Sequence, residues 1–246
     1  MSAVSTSLGL PKSAAETVSM PRFDAVLFDA GGVLVLPDPT VLRPLLVTYG
    51  GADDTDAHRR AHYAGMAQKS RQGSNERDWS SYNEAYVSSV GVSDDLVEHA
   101  AEVLDRTRSA HLWRWPIPET LVALSVLDNA AVPMGVVSNA TGQIEEMLLR
   151  TRICQAGNGP GVAMRVVIDS HVVGVAKPDP KIFDFALPYF SEFDPARIVY
   201  VGDSVTMDIA SARLAGLHPV LIDPFGDHED ADFERIASLA TITDWF

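Results

Sequence analysis

The chain is short of cysteine, of basic residues and of long apolar runs, and each shortage excludes something. Cys154 is the only cysteine in 246 residues, so a scaffold stapled by internal disulfides is excluded, and a reducing compartment fits. Lys and Arg number 19 against 33 Asp and Glu, a formal net charge of −14. Duplex-binding surfaces need clustered cations, so no nucleic-acid partner is expected. The same negative field repels anions, and any phosphate site must carry local cations or a metal. No apolar run reaches the length of about 18 residues that a spanning helix needs, so no membrane partner is expected. The stretch 1–19 is rich in Ser, Ala and Thr and lacks the continuous apolar segment of a signal peptide. It reads as a disordered tail, and the cytoplasm as the location. Hydrophobic residues nevertheless make up 46% of the chain, enough for a sizeable core and too many for a wholly disordered protein.

What is present is an alternation of short apolar runs and helical text. Ala25–Phe28, Pro133–Val137, Val166–Ile168, Arg197–Val201 and Pro219–Ile222 suit strands buried on both faces. Helical spacing fills Glu119–Asp128, Gln143–Arg150, Pro180–Leu187 and Met207–Ala215, the last stopped by Gly216. This predicts an α/β fold, a doubly wound parallel sheet of Rossmann-like form. The stretch 37–115 differs. It shows no strand alternation but four helical patterns, Val41–Tyr49, Asp56–Ser70, Trp79–Val90 and Asp94–Ser109, with His58 and His62 one turn apart and Tyr82 and Tyr86 likewise. It is too long for a loop. The chain therefore divides into a core, 20–36 and 116–246, and a helical cap, 37–115. Gly157–Gly161 resembles a phosphate loop but does not join a clear strand to a helix, so it reads as a turn.

In an open parallel sheet the carboxyl ends of the strands surround one crevice, where ligands bind. The first strand delivers Asp29, the second Ser138 and Asn139, the fourth Asp203, and Lys177 follows the third; Asp208 stands one turn beyond Asp203. Each has an ordinary reading alone: a helix cap, a turn, a solvated lysine, a first-turn acid. Carboxylates, a cation and a hydroxyl at successive ends of one sheet point to a site.

These segments carry a resemblance. Phe28-Asp29-Ala30-Gly31-Gly32-Val33-Leu34, Val136-Val137-Ser138-Asn139, Lys177-Pro178-Asp179-Pro180 and Val201-Gly202-Asp203-Ser204-Val205-Thr206-Met207-Asp208 resemble, in order, the four motifs of the haloacid dehalogenase-like hydrolase superfamily. The resemblance implies a magnesium-dependent phosphatase acting on a small phosphorylated metabolite through an aspartyl-phosphate on Asp29. It assigns catalytic roles to Asp29, Ser138 and Lys177, and the Mg2+ ligands to Asp29, the Gly31 carbonyl, Asp203 and Asp208, the last behind or beside the others. Asn139 would bind substrate, and from the cap so would Arg60 and His62. The chain would act as a monomer or a homodimer.

One position departs from the motif. Most phosphatases of this superfamily carry a second Asp two residues after the nucleophile, to protonate the leaving group and then deprotonate water; here it is Gly31. General acid–base catalysis is worth about 10²–10⁴-fold. Three readings follow: a slow or specialised phosphatase, with a proton from His58, His62 or Tyr63 or a leaving group that needs none; a carbon–halogen or carbon–phosphorus hydrolase; or a non-catalytic homologue that binds a phosphometabolite or a protein. The first makes aryl phosphates the faster substrates. At least one residue of Arg60–Tyr63 is expected to face Asp29, while Trp113 and Trp115 are expected to pack the hinge.

Overall fold

Strand β1 (Ala25–Phe28) is buried along its whole length, and the alternation of its side chains explains why. Val26 and Phe28 face one apolar cluster, with Leu124, Leu127 and Val136; Ala25 and Leu27 face the other, with Val137, Phe183 and Phe190. A strand read on both faces needs helices on both sides of its sheet. The computed structural model describes residues 21–73, 77–109 and 111–246; the expected tail 1–19 lies outside the described residues.

The chain runs through β1, β2 (Val35–Pro37), α1 (Pro39–Val47), α2 (Thr55–Arg71), α3 (Ser80–Ser89), α4 (Val97–Thr107), β3 (Trp113–Pro116), α5 (Pro118–Asn129), β4 (Met134–Ser138), α6 (Ile144–Arg150), β5 (Cys154–Ala156), β6 (Val162–Met164), β7 (Val167–Asp169), α7 (Ser170–Val173), β8 (Ile198–Gly202), α8 (Ala210–Leu214), β9 (His218–Ile222) and β10 (Glu234–Ile236). The central sheet has six parallel strands in the order β10-β9-β8-β1-β4-β7. This is the expected doubly wound α/β sheet. Its order turns at β1, between β8 and β4, which places the crevice beyond Phe28.

Helices α1–α4 form an insertion with a core of its own, built on Leu42, Leu46, Met66, Tyr82, Tyr86, Val87 and Leu104. An antiparallel ribbon of β2 and β3 carries the chain into and out of it. Helix α2 starts on the Asp54 carboxylate, which accepts from Ala57 N, and ends with Lys69 and Arg71 in its last turn, as the helix dipole favours. No helix of the described residues is long and apolar enough to cross a membrane.

Two local expectations change, and the reading of 157–161 as a turn holds. Pro180–Leu187 is not an α-helix but two tight 3₁₀ turns, Pro180–Phe185 and Leu187–Phe190; Pro188 lacks the N–H that a continuing helix would use. The helix expected from Met207 opens as a wide π-type turn over Val205–Ile209, in which both Asp208 N (2.9 Å) and Ile209 N (3.2 Å) donate to the Ser204 carbonyl. The glycine-rich stretch 157–161 is a turn between β5 and β6, folded around the Gln155 amide, which accepts from Gly161 N and donates to the Gly157 and Gly161 carbonyls.

Candidate active site

Four chain segments deliver polar side chains to the crevice. Asp29 follows β1, Ser138 ends β4, Asp203 follows β8, and Lys177 lies in the loop after α7; all four are buried. Lys177 Nζ donates to Asp208 Oδ1 (2.6 Å) and to the Tyr200 hydroxyl (2.8 Å), and lies 3.0 Å from Asp29 Oδ1. Asn139 clasps the lysine's backbone: its Oδ1 accepts from Lys177 N (2.8 Å) and its Nδ2 donates to Lys177 O (3.0 Å). The residues expected at separate strand ends thus meet in one place.

Asp208 is fully engaged. Its Oδ1 accepts from Lys177 and from Tyr200 (3.1 Å), and its Oδ2 from the backbone N–H of Asp203 (3.1 Å) and Ser204 (2.9 Å). The π-type turn makes this possible by swinging Asp208 back over the end of β8. Two glycines make room for the carboxylates of Asp208 and Asp203. A methyl group on Gly202 would lie 2.2 Å from Asp208 Cγ, and one on Gly32, whose φ is +67°, would lie 1.9 Å from Asp203 Oδ2.

Asp29, Asp203 and Asp208 each offer a carboxylate oxygen within 4.8 Å of the others, the one such acidic cluster among the described residues. Asp29 Oδ1 is buried, with the Lys177 ammonium 3.0 Å away. Burial pushes the Asp29 carboxyl up to about 7, against the pull of Lys177 and the Ser138 hydroxyl and with the help of Asp208 and Asp203. Lys177 is also buried, which by itself would favour loss of its proton, but Asp208 and Asp29 hold it firmly as the ammonium. A buried oxygen beside two further carboxylates is the donor set of a hard divalent cation.

The helical insertion meets the crevice through two neighbouring residues of α2. His62 Nε2 lies 3.0 Å from Asp203 Oδ2 and its Nδ1 3.0 Å from the Tyr82 hydroxyl. A carboxylate can only accept, so Nε2 donates and Nδ1 accepts from Tyr82. Burial drops His62 to about 3, which keeps the ring neutral. Tyr63 donates to the Gly32 carbonyl at 2.7 Å. Between floor and insertion lies a cavity of about 330 Å³, lined from the insertion side by Met66, Lys69, Trp79, Arg108 and Trp113.

Not every expected residue reaches the cavity. Arg60 pairs with Asp227 through two bonds of 2.6 and 2.7 Å and lies over the Phe225 ring, away from the cavity lining. His62 is wholly buried behind the cavity wall, and His58 binds Tyr86 (2.8 Å) and the Ala52 carbonyl (3.1 Å) inside the insertion. Trp115 packs on the main core as a hinge residue would, whereas Trp113 also forms cavity wall. A methyl group on Gly31 would sit 3.1 Å from Trp113 Cζ3 and 3.3 Å from its Cε3. Sequence reasoning missed Tyr200 and gave Trp113 a hinge place without its part in the cavity wall. For Tyr200 a signal existed: a tyrosine inside an otherwise apolar buried strand must find a partner for its hydroxyl.

The family model for the haloacid dehalogenase-like hydrolases matches residues 23–216. The chain belongs to this family of hydrolases. It is 30% identical over 138 residues to haloacid dehalogenase-like hydrolase domain-containing protein 3 of Xenopus laevis, covering 56% of this chain and 53% of that one. It is 28% identical over 135 residues to the phosphoserine phosphatase of Thermus thermophilus, covering 54% and 50%. The chain thus spans about half the length of the curated relatives it matches. Among solved structures, a HAD phosphatase from Thermococcus onnurineus shares the fold at TM-score 0.52, with 22% identity over 89% of this chain and 95% of that one. A HAD-hydrolase from Bacillus subtilis, solved bound to magnesium, does so at TM-score 0.54, with 19% identity over 90% and 97%.

Proposed function

We propose that this HAD-like hydrolase is a magnesium-dependent phosphatase of small phosphorylated metabolites, with α1–α4 and their flanks (37–115) as a cap over the crevice. The observation that carries the reading is the buried cluster of the Asp29, Asp203 and Asp208 carboxylates, with ligand oxygens within 4.8 Å of one another beside the Lys177 ammonium. Relatives named as phosphatases of phosphoserine and of glyceraldehyde 3-phosphate support it. The magnesium-bound Bacillus structure supports the choice of ion.

Asp29, Asp203 and the Gly31 carbonyl would hold the ion; Asp208, with both oxygens occupied by donors, braces the loop behind them. When bound, the ion supplies positive charge that ionises Asp29 and offsets the phosphoryl oxygens. Asp29 then attacks phosphorus in line, and the leaving oxygen departs with its bonding pair. Water cleaves the aspartyl-phosphate and restores the carboxylate. Ser138 donates to a phosphoryl oxygen. Lys177, fixed by Asn139, Tyr200 and Asp208, presents a charge that needs no reorganisation during the reaction. Asn139 therefore serves substrate binding by shaping the lysine loop. His62 serves the site by orienting Asp203.

The test is phosphate release from a panel of phosphorylated metabolites, with and without Mg2+, by the wild type and by Asp29→Asn. Release that requires the ion and vanishes in the variant is expected. Turnover that persists unchanged in Asp29→Asn would place the chemistry elsewhere.

A further inference from the structure

The leaving group of any substrate must lie on the far side of phosphorus from Asp29, within the same cavity. Its surroundings are therefore defined by the lining residues. Those described that could in principle give up a proton are Asp29, Asp203, Asp208, Lys177, Lys69 and Arg108, and each is committed elsewhere. Asp29 is the proposed nucleophile, Asp203 accepts from His62, and Asp208 accepts from four donors. Lys177 is held between Asp208 and Asp29. Lys69 donates to the Asp78 carbonyl at 2.6 Å and lies 4.1 Å over the Trp79 ring. The Arg108 guanidinium lies 4.4 Å over the same ring, and arginine does not deprotonate in proteins. No histidine or tyrosine lines the cavity among the described residues.

Trp113 makes this a built feature. Its ring stands 3.1 Å from where a Gly31 side chain would begin, so an acid at position 31 would press on an indole that also packs on His62 and Trp79. The wall beside the nucleophile is thus aromatic, and the charges near it are cations. Among the described residues this wall offers a departing oxygen no carboxylic acid or imidazole, and its cations stabilise an oxygen that leaves as an anion.

We propose that this enzyme acts on phosphates whose leaving group is a weakly basic oxygen, of aryl, enol or acyl type, borne on an apolar or flat body. The inference rests on the phosphatase reading above and specifies its substrate class. Asp29 forms the new P–O bond, the P–O bond to the leaving group breaks, and its electron pair departs on oxygen as an aryloxide, enolate or carboxylate with no proton supplied. Water then attacks the aspartyl-phosphate, its proton passes to solvent, and Asp29 leaves as carboxylate.

The experiment measures kcat/KM, which reports the first step, for substituted phenyl phosphates and for alkyl phosphates of similar size at saturating Mg2+. A steep fall with increasing leaving-group pKa is expected, with alkyl esters at least about 10²-fold below aryl esters, the lower limit of what a general acid supplies. Alkyl esters within tenfold of aryl esters would overturn the proposal while leaving the phosphatase reading intact. Absence of Asp29-dependent release from even the most activated phenyl phosphate would overturn that reading and the proposal with it. In the double variant Gly31→Asp/Trp113→Ala the new carboxylate has space, and the aryl-to-alkyl ratio should shrink tenfold or more. Gly31→Asp alone should leave the ratio high. The wild-type series decides the question even where the double variant fails to fold.

Discussion

Helices α2 and α3 carry two histidine–tyrosine pairs in antiparallel register, and the two pairs differ in what lies beyond them. In the outer pair, His58 Nδ1 meets Tyr86 at 2.8 Å and Nε2 donates to the Ala52 carbonyl. In the inner pair, one turn along, His62 Nδ1 meets Tyr82 at 3.0 Å and Nε2 donates to Asp203. Both rings are buried, and burial holds both below the usual histidine pKa. Local chemistry is the same in each pair. Only the far partner changes, from a carbonyl of the insertion to a carboxylate of the sheet. The outer pair is thereby packing, and the inner pair couples the proposed cap to the proposed metal site.

Removing each ring in turn puts the largest strain on that contrast. His62→Ala removes a buried hydrogen-bond partner from the Asp203 carboxylate and from the Tyr82 hydroxyl, at a cost of about 2–4 kcal/mol in stability. It should also weaken Mg2+ or Mn2+ binding, read by titration calorimetry without substrate, by the 10–100-fold typical of lost outer-shell partners of metal ligands. His58→Ala strands Tyr86 and a carbonyl and should cost about 1–3 kcal/mol, yet leave metal affinity within about twofold. Equal losses of metal affinity in the two variants would erase the distinction.

The sequence displayed half of this arrangement. The one-turn spacings 58/62 and 82/86 were visible, but pairing them needs the antiparallel packing of α2 on α3, which no local pattern encodes. The floor was more legible. Asp29, Ser138 and Asp203 each close an apolar run, and the parallel sheet brings such ends together whatever the loops do. Lys177 lies in a loop, and its place became readable through the motif resemblance rather than through periodicity. Trp113 was read as hinge because it stands just before Pro116; that the ribbon of β2 and β3 lays its ring on Gly31 is a tertiary result. Strands β2, β3 and β10, three or four residues each, are too short to carry an alternation.

Acid titration sharpens the comparison at intermediate cost. The folded pKa of each of the two histidines lies below the unfolded value of 6.5, so below that pH the unfolded chain binds protons that the folded chain refuses. Stability then falls with falling pH by about 1.4 kcal/mol per unit for each ring, for His62 down to about pH 3. His228, also lowered, acts in the same direction. Asp29 acts in the opposite one. Its folded pKa of about 7 exceeds the unfolded 3.8, so between those values the folded chain holds the extra proton and acidification stabilises it. Urea unfolding in chelator from pH 7 to 4.5 should therefore show a shallower loss in His62→Ala and a steeper one in Asp29→Asn than in the wild type. A His62→Ala profile parallel to the wild type would mean that the ring is not held neutral.

The smallest effect should come from Arg60, and the helix explains why. Two residues along an α-helix amount to about 200° of rotation, so neighbours two apart cannot face the same surface. With His62 turned to Asp203, Arg60 is directed to the rim, where it pairs with Asp227 at 38% side-chain exposure. Exposed ion pairs contribute about 0.2–1 kcal/mol, so Arg60→Ala should shift stability by less than about 1 kcal/mol and leave metal affinity and KM unchanged within about twofold. A tenfold rise in KM would require Arg60 to enter the crevice during the catalytic cycle. Helix α2 would then have to turn, and the bond from His62 to Asp203 would have to break to let it.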